Sequence, residues 1–591
     1  MCGVFAYFGK DTNAGKIVVE GLKRLDYRGY DSWGVAVCSN DNLYIEKQVG
    51  KISDVDIVNN IPSSTIGVAH TRWATTGSVT QANAHPHYST DKTFALAQNG
   101  IVENFEELKI DLIKKGYKIV SDTDTEVITR LIEEKQKTAG NLIQAVSLAF
   151  SELEGRNTII VITNTNEIIA ARNGSPLVIG FNPESDEIYL SSDTLSFAQL
   201  ASKMCVVSNG QLVHIKESIQ IYDVKTLERL KFDFVDINFS STKVDKEGYD
   251  HFMLKEINES PTSLNQLTLE KAEKYEELAE AIKAARNVYT IGSGGAGVAA
   301  SQVGFYLREI GKIRAIALIG ADAVEYVDLL SREDIIIAIS QSGETADVLE
   351  VLEKAKSIGV KIASFVNMPG SMITQLSDFA FMSQSGPEIC VMSTKTFVAQ
   401  VGFGYLIAKT VAGDYYGGTD EIKKLSLHID HFLKRKENHE SIKKFAKVLT
   451  TKHDIFLLGK YQNFHIIREG MVKIIEASYK HGHALPAGDL KHYAITLMES
   501  GVACLVVISN DKTKHEVINA VNEVKLRGAE VFAISFENYH NYDHYIEVED
   551  LGATSAIMNL IPLQLISYYM AVELGNNVDK PRNIAKSVTV K

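Results

Sequence analysis

The chain has 591 residues, 45% of them hydrophobic and 23% charged, with a formal net charge of −13, which describes an ordinary globular protein too long for one core and gives roughly three to four domains. An acidic balance without clustered Lys and Arg excludes a duplex-binding surface, and no nucleic-acid partner is expected. No apolar run reaches ~18 residues and no basic-then-apolar leader opens the chain, so neither a membrane span nor export is expected, while five scattered cysteines without a CxxC pair fit a reducing cytoplasm and exclude a cysteine-rich zinc site.

At the N-terminus Met1 precedes the small residue Cys2. Removal of Met1 is expected, and would leave Cys2 with both a thiol and a free α-amine that titrates near ~8, a self-contained nucleophile and base. Residues 2–8, 34–38, 66–69, 93–97 and 158–163 are apolar and β-prone, and 104–115 and 123–137 carry helical spacing. Strands paired in layers with helices outside suit an αββα sandwich, in which a terminal strand holds Cys2 still.

Six stretches then stand in one order: Cys2-Gly3-Val4, residues 24–32 (RLDYRGYDS), 70–75 (HTRWAT), 83–87 (NAHPH), 98–104 (QNGIVEN) and 122–126 (DTDTE). In this they resemble the class II, N-terminal-nucleophile glutamine amidotransferases. The resemblance implies hydrolysis of glutamine through a Cys2 thioester, Arg72 and Thr75 binding the substrate with Arg72 on its carboxylate, Asp124 on its α-ammonium, and Asn99 with Gly100 donating to the oxyanion. The chemistry agrees, since guanidinium forks grip carboxylates twice and amide donors stabilise tetrahedral oxyanions. Taken singly, Asp124 also reads as a helix N-cap and Asn99-Gly100 as a type I′ turn. His85 and His87 lack a third ligand, and no metal is assigned.

A polar stretch from Ser240 leads into Lys255-Glu256-Ile257 and reads as a domain boundary. Beyond it, strands at 288–291, 335–339 and 361–365 recur at 454–458, 502–508 and 531–534, an internal duplication of a parallel α/β unit with ligands expected at the carboxyl ends of its strands. The expected layout is a glutaminase over 2–240, a linker over 241–270, two α/β domains over 271–430 and 431–580, and a tail over 581–591.

The loop Ser340-Gln341-Ser342-Gly343-Glu344-Thr345 follows one of these strands and offers hydroxyls and backbone N–H groups to a phosphate; a helix capping box at Ser342 and Thr345 is the alternative. With Val391, Ser393 and Thr394 it resembles the sugar isomerase (SIS) signature, so that the whole reads as an N-terminal αββα (Ntn hydrolase) domain followed by two parallel-sheet αβα SIS domains. The tail from Pro581 through Ala585, Lys586 and Ser587 extends the likeness over the full length to the glutamine:fructose-6-phosphate aminotransferase (isomerising) family. That resemblance implies Ser340, Gln341, Ser342, Thr345, Val391, Ser393 and Ala585 around the sugar phosphate, a Schiff base on Lys586, His492 opening the ring, Trp73 gating ammonia, and no cofactor. It also implies a homodimer whose partner lends a histidine to the site, with glutamine and a phosphorylated ketose as the small-molecule partners.

The sequence departs from the family at four places. His483 stands where a glutamate is expected and takes the proton-transfer role by position; Gly295 and Ala296 replace hydroxyl residues; Tyr493 and Ala494 replace Gly-Pro; and Thr76 stands where many members carry histidine. Three functions stay open on the sequence: conversion of fructose 6-phosphate and glutamine to glucosamine 6-phosphate and glutamate, amination of another phosphorylated keto-sugar without isomerisation, and a sugar-phosphate-binding protein with a decayed centre. Cys2, Arg72, Asp124 and Lys586 weigh against the last, because a sensor needs none of them.

Overall fold

The computed structural model describes residues 2–54, 61–237 and 245–588. The start of the polar boundary, 240–244, lies outside the described residues. The chain divides into two compact units, 1–242 together with 587–591, and 243–586.

In the first unit an eight-stranded and a seven-stranded antiparallel sheet build the core. Strand alternation explains the layering. In Gly3–Phe8, Val4 and Ala6 turn toward the second sheet, while Phe5 and Tyr7 pack outward under the helix Ala14–Lys23. In Phe94–Gly100, Ala95 and Ala97 meet the first sheet, and Phe94 and Leu96 pack under the helices Asp124–Gln136 and Leu142–Ser151. Helix, sheet, sheet, helix is therefore the order of layers. The strands of 168–236, too short and mixed to stand out by periodicity, complete both sheets.

The second unit contains two five-stranded parallel sheets. Their central strands, Ile335–Ile339 (IIIAI) and Ala503–Ile508 (ACLVVI), are buried throughout, as strands covered by helices on both faces must be. The duplication is visible in the pairing: Val288–Gly292 is flanked by Ala315–Ile319 and Ile335–Ile339, and Asp454–Gly459 by His481–Pro486 and Ala503–Ile508. One helix, Gly552–Glu573, does pass a length-and-composition test for a membrane span, against the expectation from apolar runs, but 89% of its apolar window is buried in this unit, where it serves as a core helix. All five cysteines are free thiols.

Candidate active sites

The first site continues the inward-facing rows of the sandwich. Gly3 pairs with Thr71 and Val4 with His70, so the row Ala6, Val4, Cys2 runs beside Val68, His70, Arg72, and the row Ala95, Ala97, Asn99 faces them from the other sheet. At the end of the sandwich these rows change from apolar to reactive. The Trp73 backbone N–H donates to the Cys2 sulfur at 3.4 Å. Burial pushes the Cys2 thiol up, while the Trp73 bond and the Arg72 charge pull it down. Trp73 stacks edge-on against Tyr30 at 5.4 Å.

Arg72 donates to the carbonyls of Ser78 at 3.1 Å and Gly77 at 3.0 Å, and also to Thr76, drawing the 74–78 loop around its guanidinium. Thr75 is exposed on that loop. Asp124 is not the cap of its helix; Thr123 is. The Asp124 carboxylate instead accepts from the Val102 N–H at 2.9 Å and the Gln98 amide at 3.3 Å, and burial raises it, which prepares it for a cation. Asn99 and Gly100 form no hairpin turn; they end a strand and pair with Thr158 and Asn157. Gly100 has φ +133°, and a Cβ there would lie 2.1 Å from the Arg156 carbonyl, so only glycine fits.

Sequence reading gave His70 no role. Its Nε2 lies 3.1 Å from the Asn99 side-chain oxygen, an acceptor, so Nε2 carries the hydrogen. Burial pushes this ring to about 3, so it stays neutral, stacked on His85 at 4.3 Å. His70 thereby turns the Asn99 NH2 away from itself. The signal was the alternation that places His70 inward from Val68. Asn99→Ala is expected to lower kcat for glutamine hydrolysis by about 10²–10³-fold with KM little changed, as loss of an oxyanion donor does; steady-state glutaminase assays check this.

The second site begins where adjacent parallel strands end. Ile291 pairs with Ala338, so the loops after Gly292 and Ile339 lie side by side. In the 340–345 loop Ser340 Oγ accepts from the Gly343 N–H at 2.9 Å and Ser342 Oγ from the Glu344 N–H at 3.2 Å. Gly343 has φ +67°, and a Cβ would meet Ser371 Oγ at 2.0 Å. Thr345, not Ser342, caps the helix Ala346–Ile358, and its hydroxyl makes no cap bond. Gln341 is half-buried on the same loop. The other loop opens the helix Gly295–Glu309 with Gly294 at φ +57°; Gly295 and Ala296 offer only backbone there.

Lys586, a floppy surface charge by its position in the sequence, is buried. Its Nζ donates to Glu388 at 2.6 Å and to the Cys390 carbonyl at 2.7 Å. Glu388 also accepts from Ser393 Oγ at 3.0 Å and from the N–H groups of Thr394 and Thr396 at 2.9 and 3.1 Å. Burial raises the Glu388 carboxyl, but the Lys586 ammonium outweighs burial and leaves it below its ordinary value. The tail is pinned by Asp579, whose carbonyl accepts from Val391 N–H at 2.9 Å and whose carboxylate accepts from the Phe252 and Met253 N–H groups at the head of the helix Phe252–Asn258. Ala585 is half-buried. Glu256, from that helix, is raised to about 8 by burial and by Glu388.

His483, the position assigned to proton transfer, lies on the strand His481–Pro486. Gly482 turns toward the helix Phe464–Ser478, with a built Cβ 3.1 Å from Met471, and alternation puts His483 on the opposite face of its strand, against Phe456 at 5.7 Å and Tyr493 at 6.3 Å. From the second repeat, a charged string on that helix, which sequence reading missed, comes close to Gly295 through Glu469. Lys473 pairs with Glu469 at 3.0 Å and Glu476 at 2.8 Å. A Cβ on Gly295 would stand 3.2 Å from Glu469, and Glu469, raised to about 7 by burial, also feels Glu388. Charges recurring at helical spacing on a buried face were the available signal. His492 is exposed on the turn Leu490–His492.

The fold and these sites define a glutamine amidotransferase joined to a sugar-isomerase core. The SIS domain family matches residues 281–409 and 448–574, and the glutamine amidotransferase domain family matches 70–199. The glutamine–fructose-6-phosphate aminotransferases [isomerizing] of Pyrococcus horikoshii and Pyrobaculum aerophilum are 34% and 36% identical over the whole of this chain and of theirs. The solved C-terminal domain of the glucosamine-fructose-6-phosphate aminotransferase from Francisella tularensis covers 57% of this chain and all of its own, at 28% identity and a TM-score of 0.53. The chain belongs to the glutamine–fructose-6-phosphate aminotransferase (isomerizing) family.

Proposed function

We propose that this chain converts fructose 6-phosphate and glutamine to glucosamine 6-phosphate and glutamate. The observation that carries the reading is the burial of the Lys586 side chain, otherwise a tail residue, in an ion pair with Glu388. Once Met1 is removed, the Cys2 α-amine takes the thiol proton and the thiolate attacks the glutamine amide carbon. Arg72 and Thr75 hold the substrate at its carboxylate end, Asp124 holds its ammonium, and Asn99 and Gly100 donate to the oxyanion. Ammonia leaves and water hydrolyses the thioester to glutamate. Trp73, whose backbone N–H touches the sulfur, is the gate residue.

At the sugar site Ser340, Gln341, Ser342 and Thr345 bind the phosphate, with Val391, Ser393 and Ala585 around the sugar. Lys586 in its neutral form, its proton given to solvent, adds to the C2 ketone with loss of water, while the Glu388 carboxylate holds the amine in place. Ammonia then displaces the lysine, leaving a C2 imine. A base removes a proton from C1 and returns it to C2, giving the 2-amino aldose. The Glu469–Lys473–Glu476 string supplies that base in this reading, since it comes close to Gly295 through Glu469 and His483 lies on the strand face turned away from it. Glu469→Gln and Glu476→Gln are each expected to cut glucosamine 6-phosphate formation by at least about 10²-fold, and His483→Ala to leave it within about threefold, by analogy with loss of general-base catalysis; chromatography of the sugar products checks this. His492, exposed, is the ring-opening residue lent between copies in a homodimer, and mixed Lys586→Arg and His492→Ala chains, each inactive alone, then regain activity on subunit exchange. The free cysteines support a cytoplasmic location.

A further inference from the structure

The second repeat has a cavity at the place where the first repeat has its sugar site. Its volume is about 180 Å3, the size for one monosaccharide rather than a nucleotide. Its walls are the positional counterparts of the sugar site. Counted from Gly292 and from Gly459, which end the equivalent strands, Tyr306 and Glu309 fall on the positions of Lys473 and Glu476. Tyr461 falls on the position of Gly294, and both have a positive φ, +58° and +57°. Asn510 and Asp511 follow their strand as the phosphate loop follows Ile335–Ile339, and Ala553 precedes its helix by the same step as Ser393.

The chemistry at these positions is reversed. A tyrosine held in the left-handed region costs about 1 kcal/mol that glycine avoids, and here its ring forms a wall of the cavity, edge-on to Phe305 at 4.9 Å. Asp511 stands where the first repeat offers hydroxyls and glycine N–H groups, which rejects phosphate. A cation already tests the spot: Lys512 Nζ lies 4.3 Å from the centre of the Tyr461 ring and 3.4 Å from Glu309. A carboxylate beside an aromatic face is an ammonium site.

We propose that this cavity is a second sugar site, selective for an amino sugar whose ammonium replaces Lys512 between Glu309 and Tyr461. It rests on the reaction proposed above only in using fructose 6-phosphate to fill the first site, and the heat of fructose 6-phosphate binding, measured first, separates a failure of that reading from a failure of this one. Glucosamine is titrated calorimetrically into the full-length protein saturated with fructose 6-phosphate. Binding of one glucosamine per chain is expected, with glucose at least about tenfold weaker. Glu309→Gln weakens glucosamine about tenfold, the loss of one charge-assisted hydrogen bond, and Lys512→Ala tightens it, while both variants keep the wild-type affinity for fructose 6-phosphate. No glucosamine binding, displacement of glucosamine by fructose 6-phosphate, or equal glucosamine affinity in the wild type and both variants overturns the proposal.

Discussion

Cys2→Ala abolishes glutamine hydrolysis, with kcat falling by about 10⁴-fold or more, as removal of a nucleophile does, while the affinity for fructose 6-phosphate is unchanged. The reason lies in the division of labour: the nucleophile ends a row of inward-facing residues in one unit, and the phosphate loop and Lys586 belong to the other. Arg72 and Asp124 keep their partners in the variant, so glutamine still binds. Exchanging a half-buried thiol for a methyl group alters stability by less than about 1 kcal/mol. Parallel titrations of glutamine and fructose 6-phosphate, with glutamate release measured on the same samples, read both halves of this expectation. Glutamate release at the wild-type rate would refute the nucleophile.

Lys586→Arg is expected to stop glucosamine 6-phosphate formation entirely and to leave glutamine hydrolysis in place. Arginine is the informative replacement. Lys586→Ala would leave Glu388 buried without its cation, at a cost of about 3–5 kcal/mol, and a misfolded variant would say nothing about imine chemistry. Arginine keeps a positive charge against Glu388 but stays protonated and forms no Schiff base. Borohydride reduction of the wild type with fructose 6-phosphate should therefore add one sugar phosphate to the peptide containing Lys586, and the arginine variant should remain unmodified in the same mass spectrum.

Much of this architecture was legible in the sequence because it follows from alternation and burial. The strand Gly3–Phe8, the helices at 105–114 and 124–136, and the duplicated parallel strands all stand in the patterning. The sandwich order was legible only as a class, since nothing in short strands such as Val178–Asn182 or Lys203–Val206 says which neighbour they pair with. The placement of Cys2, Asn99 and Ser340 at strand ends was readable from alternation and from the turn residues that follow. Residues whose role depends on a neighbour from a distant element were not: His70 acts on Asn99 across two sheets, and Glu469 reaches Gly295 from the other repeat. Nor does position in the sequence tell on which face of the edge strand His481–Pro486 the His483 ring lies.

The central claim, that amide nitrogen freed at Cys2 becomes the amino group of the sugar, is tested most directly by isotope. The protein is supplied with fructose 6-phosphate and glutamine labelled with 15N in its side-chain amide, in buffer holding a large excess of unlabelled ammonium, and the amino sugar is analysed by mass spectrometry. Glucosamine 6-phosphate carrying 15N in nearly every molecule is the predicted result. An amino sugar carrying buffer nitrogen, or labelled ammonium released into solution with the ketose left untouched, would contradict it.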